Sequence, residues 1–493
     1  MSITFSDVPT TARASQVFVE QEPVSRGVSS PVIPHKILVF GQYDSSKSPT
    51  EDTPALVLNK DDAWDKYGRG SHLAYLLETV FKGRGTVPVY AVPLGDHASA
   101  AAAEGTLTIT GPATADGTIN IYVGGHKVSV AVSDEDSAED ITDAIVAAFT
   151  ADLDVPVDAA EGTSTSVVLT CHWAGESGNQ LELEINMGET DSLPAGVGVA
   201  VEAIGTTTAG ANNPSLDTAL DGLGDTWYTE IVCPYLDSTS LSSIDTYGDN
   251  RADPGVKRPF AAFVGYTDTT ANFITELDSW NSQWITFVPV HGSSTAAMRI
   301  AASLASVFAK RQTATPGRPA KNLTLPDVLA GSSNILTYTT RNTIVRAGGS
   351  HTYNQVDDTV TIGDLVTTRT ETDAGAATED WQFTIVISNL QFKIYALENI
   401  FLANPFDDAV VLADGSGPGP SHGVRPSTVK AYAIALVDDW VERGLSTTRD
   451  TIVEGIQAEI NGDNAGRIDL LIPDVMVAGL RIVAAKLEWA FVV

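Results

Sequence analysis

Two continuously apolar runs, FAAFVG at residues 260–265 and ITFVPV at 285–290, constrain this chain more than any other feature. A strand with one wet face alternates apolar and polar residues, so an unbroken run is the pattern of a strand covered on both faces. Helical patterns lie between and after them, at 270–281 and 295–312, and another β-branched and aromatic run stands before them at 227–232. Parallel neighbours need a crossover of a dozen or more residues, so this rhythm predicts βαβ units in a parallel sheet. A second unit stands nearer the N-terminus. KILVFG at 36–41 reads as a buried strand, and residues 72–82 place Leu73, Leu76, Leu77 and Val80 on one helical face. Gly83 suits the helix C-cap, and 87–92 supplies the next strand.

The stretch between the two units has a different texture. Across residues 98–209, LTITG, GTINIYVGG, HKVSVAVS, SVVLTCHW and QLELEIN alternate apolar and polar residues with Gly or Asn at the turns, as antiparallel strands with one wet face do. A helix at 137–150, with Ile141, Ile145, Ala148 and Phe149 on its apolar side, interrupts them. We read this as an inserted domain of two β-hairpins and a helix, a ββαββ arrangement, flanked by Ala-rich and Gly/Thr-rich linkers. The α/β core is then residues 35–97 and 210–379. It resumes with a helix near 214–223, where Asn213 can cap and Pro214 takes the first position. At 336–372 the alternation of Thr and Val around Gly348 and Gly349 predicts an antiparallel extension of the sheet.

The termini read as arms. Residues 1–34 carry Pro9, Pro23, Pro31 and Pro34 around one strand-like run, SQVFVEQE, and hold too little apolar material for a core. They form either a disordered tail or an extended arm whose single strand, including Val17, Phe18, Val19 and Glu20, completes a sheet edge elsewhere. Residues 380–493 form an α+β C-terminal domain. Its helix at 427–443 places Val429, Ala433, Leu436, Val437 and Trp440 on one side, with Asp438, Asp439 and Glu442 toward its far end. The closing LRIVAAKLEWAFVV alternates to the last residue, which is how an edge strand awaiting a partner reads.

At 493 residues the chain holds several domains, because single cores stop growing near ~250–300 residues. Its 29 basic and 62 acidic residues give a net charge of −33, which argues against nucleic acid as a main ligand. Such a surface keeps monomers apart before assembly, or reflects plain solubility or a salt-rich habitat. Cys171 and Cys233 are too few for a disulfide scaffold or a four-cysteine zinc site and read as buried thiols. MSITFSDVPTTARAS lacks the basic start and apolar stretch of a signal peptide, and no run reaches the ~18 apolar residues of a membrane helix. We expect folding in a cytoplasm.

A search for chemistry returns little. G-x-S-x-G occurs at Gly419, Ser421 and Gly423, but a hydrolase of that type needs its His downstream, and all eight histidines lie at or before His422. Pro418 and Pro420 favour a plain loop. A triad in another order could use Asp237, His291 and Ser293 or Ser294, but chance supplies such sets freely, and strand-end polar residues capping the following helix account for them better. No Gly-Lys pair exists, which removes the P-loop, and GRG at 68–70 lacks the third glycine of a dinucleotide fingerprint. His126, His172 and His351 sit in strand-like runs with no second ligand at i+2 or i+4. The sequence calls for no enzyme, no metal and no cofactor.

PGRPAKNLTLPDV at 316–328, with LTYTTRNTIVRAGGSHTYNQ at 336–355 and WDKYGRGSHLAYLLETVFKGRGTVPVYAVPLG at 64–95, resembles the tail sheath proteins of contractile-tailed phages, and among them the Mu-like branch. The resemblance covers most of the chain and is weakest in the inserted domain. It implies a subtilisin-like α/β core without protease activity, an outer insertion, and a C-terminal domain facing a tail tube. It also implies stacked hexameric rings of this subunit with tail tube, baseplate and tail terminator proteins as partners, in a virion assembled in the host cytoplasm. Neither nucleic acid nor membrane is implied as a partner. The arms at Val17–Glu20 and at Leu487, Trp489 and Phe491 would then join neighbouring subunits by strand addition. The tube-facing candidates are Lys430, Asp438, Asp439, Glu442 and Arg443, whose charges are mixed. Contraction would run downhill from a metastable lattice and need no nucleotide, in keeping with the missing P-loop. Two other classes compete: an α/β serine hydrolase using Ser421, and a non-contractile surface or adhesion protein carrying the β-rich insertion.

Overall fold

The computed structural model describes residues 31–188 and 190–489. Its centre is a six-stranded sheet in the order Ile285–Pro289, Ala261–Tyr266, Glu230–Val232, Ile37–Gln42, Val89–Leu94, Ala55–Val57. Every neighbouring pair is parallel except the last, where Ala55–Val57 runs antiparallel along one edge. The continuous apolar runs are explained by what lies on the two faces. Ile37, Val39, Val89, Ala91, Val232, Phe263 and Val288 turn toward helices His72–Gly83 and Ala297–Ala314. Their alternating neighbours Leu38, Phe40, Val92, Ile231, Ala262, Val264 and Phe287 turn the other way, into a cluster with Leu241, Ile244 and Phe273 of helices Ser238–Ala252 and Thr270–Leu277. Both sets are fully buried, so neither face of these strands has room for the polar half of an alternating pattern.

The two helices on the first face approach closely because their contact is built from small residues. A Cβ on Gly83 would stand 1.9 Å from Ser306 Oγ. Gly83 is therefore the last helical residue and not the C-cap that its position suggested; Arg84 caps the helix, and Gly83 is required by packing. Gly265 plays the same part between sheet and helix, where a Cβ would lie 1.7 Å from the Ala297 carbonyl oxygen. The sequence motif at 316–328 runs from the end of helix Ala297–Ala314 along strand Val360–Asp364, with Leu325 N donating to Val360 O and Ile362 N donating to Leu323 O. It ends on Asp327, which accepts from Arg299, Lys82 and Thr79.

The insertion is richer than two hairpins. Its described strands form a four-stranded antiparallel sheet, Gly198–Glu202, Ala102–Thr110, Ser166–Ala174, Val157–Thr163, and a three-stranded one, His126–Val132, Gly117–Val123, Leu183–Ile185. The helix between them, Ala138–Ala151, opens on a capping box of Ser137 and Asp140 and buries Ile141, Ile145 and Phe149, in line with the apolar face read from the sequence.

Three other expectations need correction. The predicted sheet extension at 336–372 begins instead with helix Tyr338–Arg346, whose Thr337 side chain caps it by accepting from Thr340 N. A threonine-rich run with β propensity became a helix because one threonine sits at the N-cap, where the hydroxyl satisfies an orphan N–H. The strands that follow, His351–Asn354 and Val360–Asp364, pair only with each other as named strands, in a separate two-stranded sheet. The helix expected at 214–223 shrinks to Asp217–Asp221. Asn213 does not cap it, because its side chain accepts from Ser177 N and donates to Asp237.

By compactness, the described residues 32–395 with 478–489 form one unit and Ala396–Val477 belong to another. The helix Thr384–Phe401 spans the division. Within the smaller unit, helix Pro426–Glu442 buries Val429, Ala433, Leu436, Val437 and Trp440, the face its periodicity gave. The antiparallel hairpin Gln457–Ile460 and Ile468–Leu471 packs beside it.

Candidate assembly site

Most of the groups considered for chemistry make hydrogen bonds that build the fold. Asp237 caps helix Ser238–Ala252 by accepting from Ser240 N at 2.8 Å. The His291 Nδ1 lies 2.6 Å from the Asp268 carbonyl oxygen, and burial pushes this imidazole below its ordinary value. Ser293 donates to Leu329 O at 2.7 Å and Ser294 to Glu184 at 2.8 Å. No hydrogen bond joins Asp237, His291 and either serine, and His291 Nε2 has no hydrogen-bond partner. Ser421 sits on an exposed turn just before the two-residue strand Gly423–Val424, not on a buried strand-to-helix elbow. Its neighbour His422 is also exposed.

His126, His172 and His351 do lie in strands and face single carboxylates: His126 and Asp152 at 2.9 Å, His172 and Asp158 at 3.1 Å, His351 and Asp364 at 3.9 Å. Among the described residues no group of three or more His, Cys, Asp or Glu is placed to hold a metal ion. Cys171 and Cys233 are buried free thiols; burial drives both upward, Cys233 to about 12. A thiol held protonated in that way is a poor nucleophile. No described helix is long and apolar enough to cross a membrane.

What remains exposed and unexplained is the C-terminal segment. Arg481 is held against the body, its guanidinium 3.4 Å from the Phe383 ring centroid and its carbonyl accepting from Lys321. Among described residues 478–489 no strand ladder forms. Leu480, Ile482, Val483, Leu487 and Trp489 are each at least 73% exposed. Exposed apolar side chains gathered in one segment of a folded chain mark an interaction surface. Phe491 and the N-terminal candidates Val17, Phe18, Val19 and Glu20 lie outside the described residues.

The tube-facing candidates lie on or just past helix Pro426–Glu442, and most are tied down within their own unit. Lys430 Nζ donates to Ile456 O at 2.7 Å. Asp438 pairs with Arg449, and Asp439 accepts from Arg443 at 2.9 Å across one helical turn. Asp438 and Glu442 are exposed while Lys430, Asp439 and Arg443 are partly buried, and periodicity gave no sign of these internal pairings.

No family model matches the sequence. Over 490 residues the chain is 25% identical to the Mu-like prophage FluMu tail sheath protein of Haemophilus influenzae, covering 99% of this chain and 100% of that protein. The resemblance read from the three motifs thus extends over the whole length, the inserted domain included. Among solved structures, it is similar to the sheath tail protein of Desulfitobacterium hafniense, with TM-score 0.47 and 11% identity over 94% of this chain and 100% of that one. It is also similar to the sheath of an extracellular contractile injection system in its contracted state, with TM-score 0.47 and 11% identity over 97% and 98% of the two chains.

Proposed function

We propose that this chain is a structural subunit of a contractile tail sheath, of a phage or a related contractile injection system. The observation that carries this reading is the end-to-end match to a tail sheath protein, with neither chain leaving a domain uncovered. The exposed apolar segment at 480–489 supports it, because a subunit of a polymer must keep unsatisfied surface for its neighbours. We read the six-stranded core as the subtilisin-like core of such sheaths, working as a scaffold and not as an enzyme.

In this reading subunits assemble as stacked hexameric rings around a tail tube, bounded by baseplate and terminator proteins. The N-terminal arm and the C-terminal run at Leu487, Trp489 and Phe491 link neighbours by strand addition, whose main-chain hydrogen bonds hold subunits together while leaving each free to rotate as a body. Helix Pro426–Glu442 turns its charged face to the tube. Contraction then drives the tube through the host envelope for genome delivery. If each subunit gained a few kcal/mol, on the order of a hundred of them would release hundreds, since terms of that size are ordinary for one domain.

Negative-stain microscopy of the concentrated protein, alone and with its tube partner, tests this. Hollow cylinders or stacked rings are expected. A strictly monodisperse monomer under both conditions would overturn it. Deleting residues 480–493 should abolish the cylinders while leaving a cooperative melt; a truncated chain that still forms tubes would refute the part given to the arm.

A further inference from the structure

After strand Ile37–Gln42 the chain crosses to Val89–Leu94 on one side, and the next strand of the sheet, Glu230–Val232, lies on the other. Where connections diverge in this way, a crevice opens at the carboxyl ends of the strands, and open α/β sheets bind their ligands there. The insertion leaves the core directly after Val89–Leu94, and its return pairs Ala211 with Ala101 and ties Asn213 to Asp237, just past Glu230–Val232, so both tethers are at this edge.

The crevice is full. Gln42 ends the first strand, Tyr235 follows the strand Glu230–Val232, and His72 opens helix His72–Gly83; all three are completely buried. Trp173, on the insertion's strand Ser166–Ala174, stacks on His72 with ring centroids 4.6 Å apart and planes at 12°, while Tyr235 meets the same imidazole edge-on at 5.7 Å. The polar atoms are matched as well. Gln42 Nε2 donates to the Ala174 carbonyl and to Asp96, and its Oε1 accepts from the Tyr235 hydroxyl. Trp173 Nε1 donates to Ser177 at 3.0 Å. Gln180, at the end of the insertion's short helix, donates to Pro234 O and accepts from Met298 N in the first turn of helix Ala297–Ala314.

We propose that Trp173 is a built-in ligand: the insertion closes the core's switch-point crevice by stacking an indole on His72, in a site shaped for a flat aromatic ring. The insertion is on this account a part of the core's packing, and moves with the sheet as one body. The inference stands apart from the assembly role, since it concerns a single chain.

Full-length Trp173→Ala with indole as the probe tests it. The variant should bind indole saturably, and its melting temperature, lowered by the substitution, should rise with indole concentration while the wild type does not respond. The His72 ring resonances give a second reading. Burial among Gln42, Tyr235, Met298 and Trp173, with Tyr75 against the indole and Asp96 reached through Gln42, holds this imidazole down to about 3. Its signals should stay flat from pH 8 to 5 in the wild type, titrate in that range in Trp173→Ala, and flatten again with saturating indole. A folded variant that does not bind indole, whatever its thermal stability, overturns the proposal. Should Trp173→Ala fail to fold, the wild type decides: protease nicks in the linkers near residues 98–101 and 205–211 should leave core and insertion associated on gel filtration. Their separation as folded fragments would overturn it.

Discussion

Replacing Asp327 with Asn removes one charge from the ion pair it makes with the buried Arg299. Arg299 is 7% exposed; its Nη2 rests on Asp327, its Nε donates to Thr79 at 2.8 Å, and its guanidinium lies 4.6 Å from the Tyr75 ring. Burial by itself would raise the Asp327 carboxyl, but Arg299, Lys82 and Thr79 outweigh it and hold the group below its usual range. Asp327 also has φ of 62°, a left-handed conformation that Asn tolerates and most side chains do not, so Asn isolates the charge from backbone strain. Stripping one partner from a fully buried pair costs about 3–5 kcal/mol. The Asp327 side chain is 22% exposed, which lets water screen part of the loss, so the expected cost is about 2–3 kcal/mol. Urea denaturation at pH 7, followed by tryptophan fluorescence, measures it. Arg299→Met combined with Asp327→Asn should recover part of the loss, because no buried charge is then left uncompensated. A single variant within about 0.5 kcal/mol of wild type, or a double variant whose losses simply add, would refute the argument.

Gly265→Ala should lower the melting temperature sharply, with a loss of about 3 kcal/mol or more, because the contact at 1.7 Å is with backbone on both sides and neither the sheet nor the helix can yield. Acid should destabilise the chain through His72. Its folded value lies below the ordinary one near 6.5, so its contribution is complete above that pH and is lost as pH falls from about 6.5 toward 3, at up to ~1.4 kcal/mol per pH unit; pH-dependent melts of the wild type against His72→Leu check this, and an identical acid limb in the two would contradict it. Leu487→Asp together with Trp489→Asp should leave the melt within about 0.5 kcal/mol, since both side chains are exposed, yet abolish sedimenting polymer.

What could be read from the sequence was what local pattern controls. Unbroken apolar runs gave the parallel sheet, and 3.6-residue periodicity gave five of the six buried side chains of helix Pro426–Glu442. Where one residue's local role competed with its neighbours' propensity, the pattern misled: Thr337 turned a β-like run into a helix by capping it, and Gly83 served a helix contact and not a turn. The crevice was beyond reach for a different reason. Gln42, His72, Trp173 and Tyr235 come from four separate stretches of chain, and SVVLTCHW announces only a half-buried strand. Trp173 is there one position of an alternating strand, and its partner is a histidine at the head of a core helix. A period of two fixes which side of a strand a residue occupies but not which domain meets that side. The join between insertion and core is made by such side chains, so it had to be found in three dimensions, and its strength has to be measured by removing the indole and putting one back.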